Sequence, residues 1–524
     1  MKSKSKARLG LIGFALFAIA NFGLLASHAQ AADYSGTCAN VPTGAQTGNA
    51  TIGSAGAACS LPANVNFSGN VTILGSTITS SGPINAGQAL TLTGTSTIGV
   101  AALNGASVKV QTTGVITLTA ANASAGYVDV VANGGSGDIN ATSLTAANGY
   151  IKAVAGRKVN ISGALATSGT IGARNILITA QTTIKTGNLT AASNANIVVK
   201  SQKGGGTTAL TVGTSGTNGI GTVTAGANGT VYIVNGTSGA NANITLTAMN
   251  KIVTTAGGNY IILDARGGTL TMPSGTLSTP HSSGQASIQL MAKTVTFSGA
   301  ATLQANNAGA AGTLHGVTIS ANTINHNGLT INADGPGANP AEAYVYFQAM
   351  GTTVITDNNE NVTNLYVFVN NTNPNTVTGP VSIVSSGGLL KATANGNNAR
   401  IKVDAYPITI TGGPVTFQTN GIYGREIQIS NQSQNSGTQG VTFSGGDVLL
   451  DASASANGYG GSINFWNIDK LAISSPNFTI KSDGAVSGSG DAGFISIYTY
   501  SYSQASSSKA KISANGPVAG SGNG

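Results

Sequence analysis

Apolar and polar residues alternate along almost the whole chain in runs of about four to six, and Gly, Asn and Ser separate the runs. Alternation at period two is the pattern of a strand with one buried face, and the separators are turn formers. One phrase keeps returning: ITLTAANASAGYVDVVA at 116–132, TSLTAANGYIKAVAG at 142–156, NLTAASNANIVVK at 188–200 and ITLTAMNKIV at 244–253. Its apolar residue recurs as Leu92, Leu118, Leu144, Leu165, Leu189, Val223, Leu246, Leu270 and Val295. Most steps are about 21 to 26 residues, and the wider step from Leu189 to Val223 holds KGGGTT and GTSGTNG as a loop insertion. A unit of this length cannot bury its own apolar face, but a stack of units buries one continuous core. The expected fold is therefore all-β: a parallel β-helix (β-solenoid), right-handed, with about 21–30 residues per coil.

In such a stack the nine apolar residues form one inward ladder. The flanking threonines then point out and pair in rows: Thr91/Thr93, Thr117/Thr119, Thr245/Thr247, Thr269/Thr271 and Thr294/Thr296. Ser143, Ala164, Asn188 and the loop near 203–219 interrupt these rows. Near the C-terminus, ISIYTYSYS at 495–503 places Ile495 and Ile497 inward, and Tyr498, Tyr500 and Tyr502 together on the outer face. That stripe could stack on sugar rings, meet a partner, or cover the last coil.

The first 31 residues read as a signal peptide: Lys2, Lys4, Lys6 and Arg8, the apolar stretch LGLIGFALFAIANFGLLA at 9–26, then Ala29-Gln30-Ala31 as cleavage signal. Residues 32–66, rich in Gly and Pro, are the expected N-terminal cap, 67–512 the solenoid, and 513–524 a C-terminal tail. No other stretch approaches the roughly 20 apolar residues of a membrane helix. The expected location is outside the cell or on its surface. The two cysteines, Cys38 and Cys59, are expected to form one disulfide in the cap, as in other exported chains.

Composition agrees. Only 7% of residues are charged, and 74 are Gly. Stacked coils repeat a side chain up one column, where charges repel and Thr, Asn, Val and Ile form ladders. The formal charge of +8 comes from 23 basic and 15 acidic residues; removing the four basic residues of the leader leaves 19 against 15, or +4. The remaining Lys and Arg are scattered, so no basic stripe follows a phosphate backbone and nucleic acid is not an expected partner.

VTFSGAATLQANNAGAAGTLHGVTIS at 295–320 is echoed by VTFSGGDVLLDASASANGYGGSINFW at 441–466. These units resemble the repeats of filamentous-haemagglutinin-like secreted exoproteins. The resemblance implies a large bacterial surface β-helix and a role in adhesion.

Parallel β-helices also house polysaccharide lyases and glycoside hydrolases, which need carboxylates held close together. Here the acids are mostly isolated. Asp447 and Asp451 share a strand face but lie about 13 Å apart along it. His281, His315 and His326 are not at metal spacing, Asp357-Asn-Asn-Glu360 reads as a solvated loop, and GGSGDI at 134–139 brings Asp138 one position early for a calcium repeat. No cofactor or metal is expected. The expectation is a secreted, non-enzymatic adhesin or extracellular matrix or filament protein, partnered by surface glycans or by its own copies end to end. Ice binding through the Thr columns and polysaccharide binding or degradation are the alternatives.

Overall fold

One inward-facing column runs through the described chain. Tyr34, Ile52, Ile73, Leu92, Val110, Val130, Ala153, Ile178, Val199, Ile233, Leu263, Leu290, Ile319, Phe347, Val403, Ile429, Phe465 and Ile497 are partners in successive parallel strand pairs. At about 4.8 Å per rung, this column alone is about 80 Å long. The chain is an all-β parallel β-solenoid, as its alternation predicts. The computed structural model describes residues 32–516 apart from 36–37, 171–173, 204–205, 237–241, 256–259, 282–285, 308–314, 335–341, 351–352, 358–360, 366, 372–378, 397, 422–424, 431–439, 455–457 and 486–489. The expected signal peptide and most of the expected tail lie outside these residues.

Each full coil contributes strands to three faces. The first carries the column above. The second runs through Ile116–Leu118, Ile139–Ala141, Val159–Ile161 and Ile184–Thr186 to Leu270, Val295, Ile324, Ile383, Ile410, Phe443 and Ile473. The third starts in the same 36-stranded sheet and continues as an eight-stranded sheet from Gly275–His281 to Lys509–Ser513. Inward side chains of all three faces merge into one buried apolar cluster from Cys38 to Ile480. Phenylalanines thicken it in the second half, where Phe443 packs on Phe478 at 5.1 Å and Phe347 on Phe417 at 5.7 Å. Outside, asparagine side chains ladder from coil to coil: Asn122 donates to Asn104 (2.9 Å) and Asn104 to Asn85 (2.8 Å).

The stacking register corrects the expected ladder. Leu92 belongs to the first face, between Ile73 and Val110. Leu118 belongs to the second, between Val100 and Ala141, and Leu270 and Val295 stack there as well. Leu144, Leu165, Leu189 and Val223 form a true ladder, but on the third face. The recurrent phrase suits any face, because every strand needs the same alternation. Coil length also differs from expectation. Leu92 and Val110 are 18 residues apart, whereas Phe347 and Val403 are 56 apart. The long step contains a hairpin that leaves the stack, Thr353–Asp357 antiparallel to Val367–Asn371.

Two other segments do more than the sequence suggests. The insertion before Val223 is not only a loop: Leu210–Val212 adds a strand between Gly219–Ile220 and Ile244–Leu246. Residues 32–66 already stack in register, with Ala32 on Ala50 and Ala50 on Val71, so no break in pairing occurs at 66. Strands of only three or four residues hide that alternation. The Cys38–Cys59 disulfide is formed, with Cα atoms 5.3 Å apart, and ties the turn Cys38–Asn40 to the first coils.

Candidate functional site

A solenoid offers function only on its outer surface, so the question is which outer face is uncovered and chemically distinct. On the first face, strands from Ile176 onward are buried on both sides. Their outward residues Leu177, Val198, Tyr232 and Ile262 stack in one column, joined by Val234 and Met291. The hairpin's connecting segment lies over them. Val362 and Leu365 are buried in this patch, and the amides of Asn175 and Asn196 donate to the carbonyls of Val362 (2.8 Å) and Leu365 (2.6 Å).

Further along, the same outer face changes character. Alternate residues of AYVYFQ, RIKVD, EIQIS and SINFW line up across four rungs. Tyr344 stacks on Arg400, Glu426 and Ser462; Tyr346 on Lys402, Gln428 and Asn464; Gln348 on Asp404, Ser430 and Trp466. Arg400 Nε donates to Glu426 Oε2 (2.9 Å), and Asn464 Nδ2 donates to Glu426 Oε1 (3.2 Å). Lys402 Nζ pairs with Asp404 (3.0 Å), which also accepts from Ser430 Oγ (3.0 Å). Two cations and two carboxylates thus neutralise one another. Burial pushes Tyr344 up to about 12, and also raises Tyr346, where Arg400 opposes it, so both phenols stay protonated. The strip ends at Trp466, the single tryptophan, 57% exposed.

Compared with protein-family models, curated proteins and solved structures, this chain matches none.

The second face carries the other distinct surface. Thr211, Thr245, Thr271 and Thr296 stack in one outward column, continued by Asn325, Val384, Thr411, Ser444 and Ser474. Two residues away along each strand, Thr269, Thr294, Thr323, Ser382, Thr409 and Thr442 form a parallel column. Interrupted only at Asn325 and Val384, the two columns make an uncharged hydroxyl grid of about 4.8 Å by about 7 Å.

The expected threonine rows are thus partly assembled. Thr245, Thr269, Thr271, Thr294 and Thr296 come together; Thr247 follows the end of its strand and is exposed. Thr117 is in the same column but separated from Thr211 by Asn140, Asn160, Lys185 and Gly219, and its exposed neighbour Thr119 is equally remote. Thr91 and Thr93 are on the first face instead, next to Lys109 and Gln111.

The tyrosine stripe splits. Tyr498 and Tyr500 are neighbours, ring centroids 6.4 Å apart, and both exposed. Tyr502 is in register with the buried Leu471 and donates to Gln504 Oε1 at 2.6 Å. Between Thr499 and Tyr502 the chain turns from one face to the next: their partners Ile468 and Leu471 are both buried although three residues apart, which breaks the two-residue alternation that sequence periodicity assumes.

The remaining candidates stay apart. Asp447 accepts from Asn477 Nδ2 (2.9 Å), Asp451 accepts from the Ser453 backbone (2.9 Å), and Asp138 is paired with Arg157. His326 is buried in the interior, 4% exposed. The side chains of His281 and His315, and Glu360, lie outside the described residues. Among the described residues no three His, Cys, Asp or Glu side chains gather to hold a metal ion. The first-face strip escaped sequence reasoning because even its adjoining rungs are up to 56 residues apart. Its one local signal is three successive polar outward positions, Arg400, Lys402 and Asp404.

Proposed function

We propose that this protein is a secreted, non-enzymatic β-solenoid that acts as a surface adhesin or matrix component and holds glycan chains on the outer strip of its first face. The observation that carries the reading is the row Tyr346, Lys402, Arg400, Glu426, Asn464 and Trp466 on four adjoining rungs beyond the hairpin. Sugar rings are recognised by an aromatic platform together with planar polar groups that fix the hydroxyls. The strip supplies both, and with Glu342 acting on Tyr346 and Arg400 its carboxylates outnumber its cations three to two, which favours a neutral glycan over an acidic one. A binding role rather than a cleaving one is supported by the state of the two acids: Asp404 is 4% exposed and held by Lys402 and Ser430, and Glu426 is held by Arg400 and Asn464. Hydrolysis needs one carboxyl group free to give a proton and a second to act on the sugar.

The test is binding to a panel of immobilised neutral and acidic glycans. Trp466→Ala and Arg400→Ala should each weaken binding to a neutral glycan at least tenfold. Binding that survives both substitutions removes the strip from the proposal, and release of new reducing ends removes the non-enzymatic part.

A second reading rests on the hydroxyl grid of the second face. Threonine offers a methyl and a hydroxyl at each lattice point, and both grid spacings are close to oxygen repeats in ice. A thermal-hysteresis measurement decides it: activity lost on Thr294→Tyr would support ice binding, and no activity in the unaltered protein would dismiss it.

A further inference from the structure

We propose that a second outer patch of the first face, centred on Asp129, binds a linear glycan in which acidic sugars alternate with neutral ones. The patch shares no residue with the strip around Trp466 and goes beyond the reading given for that strip.

Three adjoining rungs build it: Ser107–Thr112, Val128–Ala132 and Ile151–Ala155. Their inward side chains, among them Val110, Val130 and Ala153, are buried in the core. On the outside, Lys109, Asp129 and Lys152 stack in one column. Tyr127 and Tyr150, which precede the second and third strands, stand beside it with ring centroids 5.0 Å apart and planes within 6° of parallel. The column is bounded at both ends. Thr91 precedes Lys109, and Leu177, inside the sealed apolar patch, follows Lys152. Tyr150 packs against that same patch. From Lys152 to Tyr346 of the strip is seven rungs, about 34 Å.

The fold leaves the central acid unused. Asp129 Oδ1 is buried and, among the described residues, has no hydrogen-bond partner. The lysines in register on either side do not close onto this oxygen. A buried carboxylate oxygen without a donor costs stability, and it is free to accept a hydrogen bond from a ligand. Burial, helped by the charge of Asp129, pushes the Tyr150 phenol up to about 12, so the stacked pair stays neutral beside the charged column.

The order cation, carboxylate, cation selects the ligand. Lys109 and Lys152 are two rungs, about 10 Å, apart. A pyranose in an extended chain advances by about the height of one rung. A chain laid along the rod therefore sets three successive sugars against Lys109, Asp129 and Lys152. The lysines suit an anionic group on the first and third sugars. Asp129 suits a neutral sugar between them that donates an O–H or N–H. The parallel tyrosine rings give a stiff apolar flank for the C–H faces of the sugars. Two cations against one carboxylate attract an anionic chain, the opposite preference to that of the strip. A phosphodiester backbone fits less well, because it carries a charge at every unit and sets one against Asp129.

Isothermal titration with a hyaluronan hexasaccharide, whose glucuronates alternate with neutral N-acetylated sugars, should show saturable binding that weakens as salt is raised. The methyl-esterified hexasaccharide should bind at least tenfold more weakly, and a hexamer of uronic acid alone should also bind more weakly. Lys109→Gln combined with Lys152→Gln should weaken binding at least tenfold, and Tyr127→Leu should weaken it too, both with the thermal melting of the parent. The emission of Trp466 should not shift on binding, because the strip is remote from this patch. Binding that survives the double glutamine substitution, an emission shift that puts the chain on the strip, equal binding of an oligodeoxynucleotide of the same charge, or no binding at all would each overturn the proposal.

Discussion

The side-chain amide of Asn175 donates to the backbone carbonyl of Val362, 187 residues further along the chain, at 2.8 Å. One rung on, Asn196 makes the equivalent bond to Leu365. The hairpin that emerges after Phe347 thus reaches back across six rungs, about 29 Å, to seat two apolar side chains on the outside of the first face. This divides that face in two: an apolar half sealed by the chain itself and a polar, aromatic half beyond it.

Val362→Asp combined with Leu365→Asp should unseat this segment. Each buried aliphatic side chain contributes about 2 kcal/mol. The double variant should expose Leu177, Val198, Tyr232 and Ile262, which a rise in binding of an apolar fluorescent dye would report. The parallel-strand circular dichroism should hardly change, because the rungs beneath keep their own pairing.

His326 should make stability fall in acid. Burial lowers its pKa to about 4, against an ordinary value of 6.5, so the folded chain keeps it neutral. Between those values the unfolded chain binds a proton that the folded chain does not, and stability therefore rises with pH across that window. The full effect is about 3 kcal/mol, present above pH 6.5 and lost by about pH 4. Urea titrations of the parent and of His326→Leu at both ends of the window measure it. An equal slope in the two proteins would refute the assignment.

The N-terminal coils should depend on the Cys38–Cys59 bridge and on one glycine. The bridge closes a loop of 21 residues, for which chain entropy gives about 3 kcal/mol. Gly53 has φ +72°, and a Cβ there would sit 2.3 Å from the Leu74 carbonyl oxygen and 2.9 Å from Cys38 Sγ. Gly53→Ala should cost about 1–3 kcal/mol. Limited proteolysis should find both the reduced protein and the alanine variant opened at the N-terminal coils first, with the C-terminal half protected.

Trp466 gives a direct optical probe of the strip. As the single tryptophan, and 57% exposed, it should emit as a solvent-accessible indole and be quenched readily by acrylamide. A bound neutral oligosaccharide should shift the emission to the blue and protect it from quenching. Arg400→Ala should weaken that response without altering the emission of the free protein.

Strand, turn and stack are readable residue by residue. Alternation in runs such as ISIY at 495–498, turn formers between them and the shortage of charge are local properties, and they suffice for a parallel solenoid with a Cys38–Cys59 bridge. Pairing is not local. Leu92, Leu118 and Leu144 look equivalent in sequence but lie on three different faces, because turn lengths alone determine which residue of one coil meets which residue of the next. The same holds for the surfaces. Thr269 and Thr294 were recognisable as outward threonines, but their continuation through Ser382, Thr409 and Thr442 depends on register across the 59-residue step from Thr323 to Ser382. Tyr502 left the face of Tyr498 because the chain turns a corner between Thr499 and Tyr502, whose partners Ile468 and Leu471 are both buried although three residues apart. Arg400 met Glu426, and Asn175 met Val362, only once the coils were stacked and the hairpin folded back. Side-chain alternation is set by backbone geometry within one strand, so it is written in the chain itself. Juxtaposition between coils is set by the summed path of every turn between them, and it exists only in the folded stack.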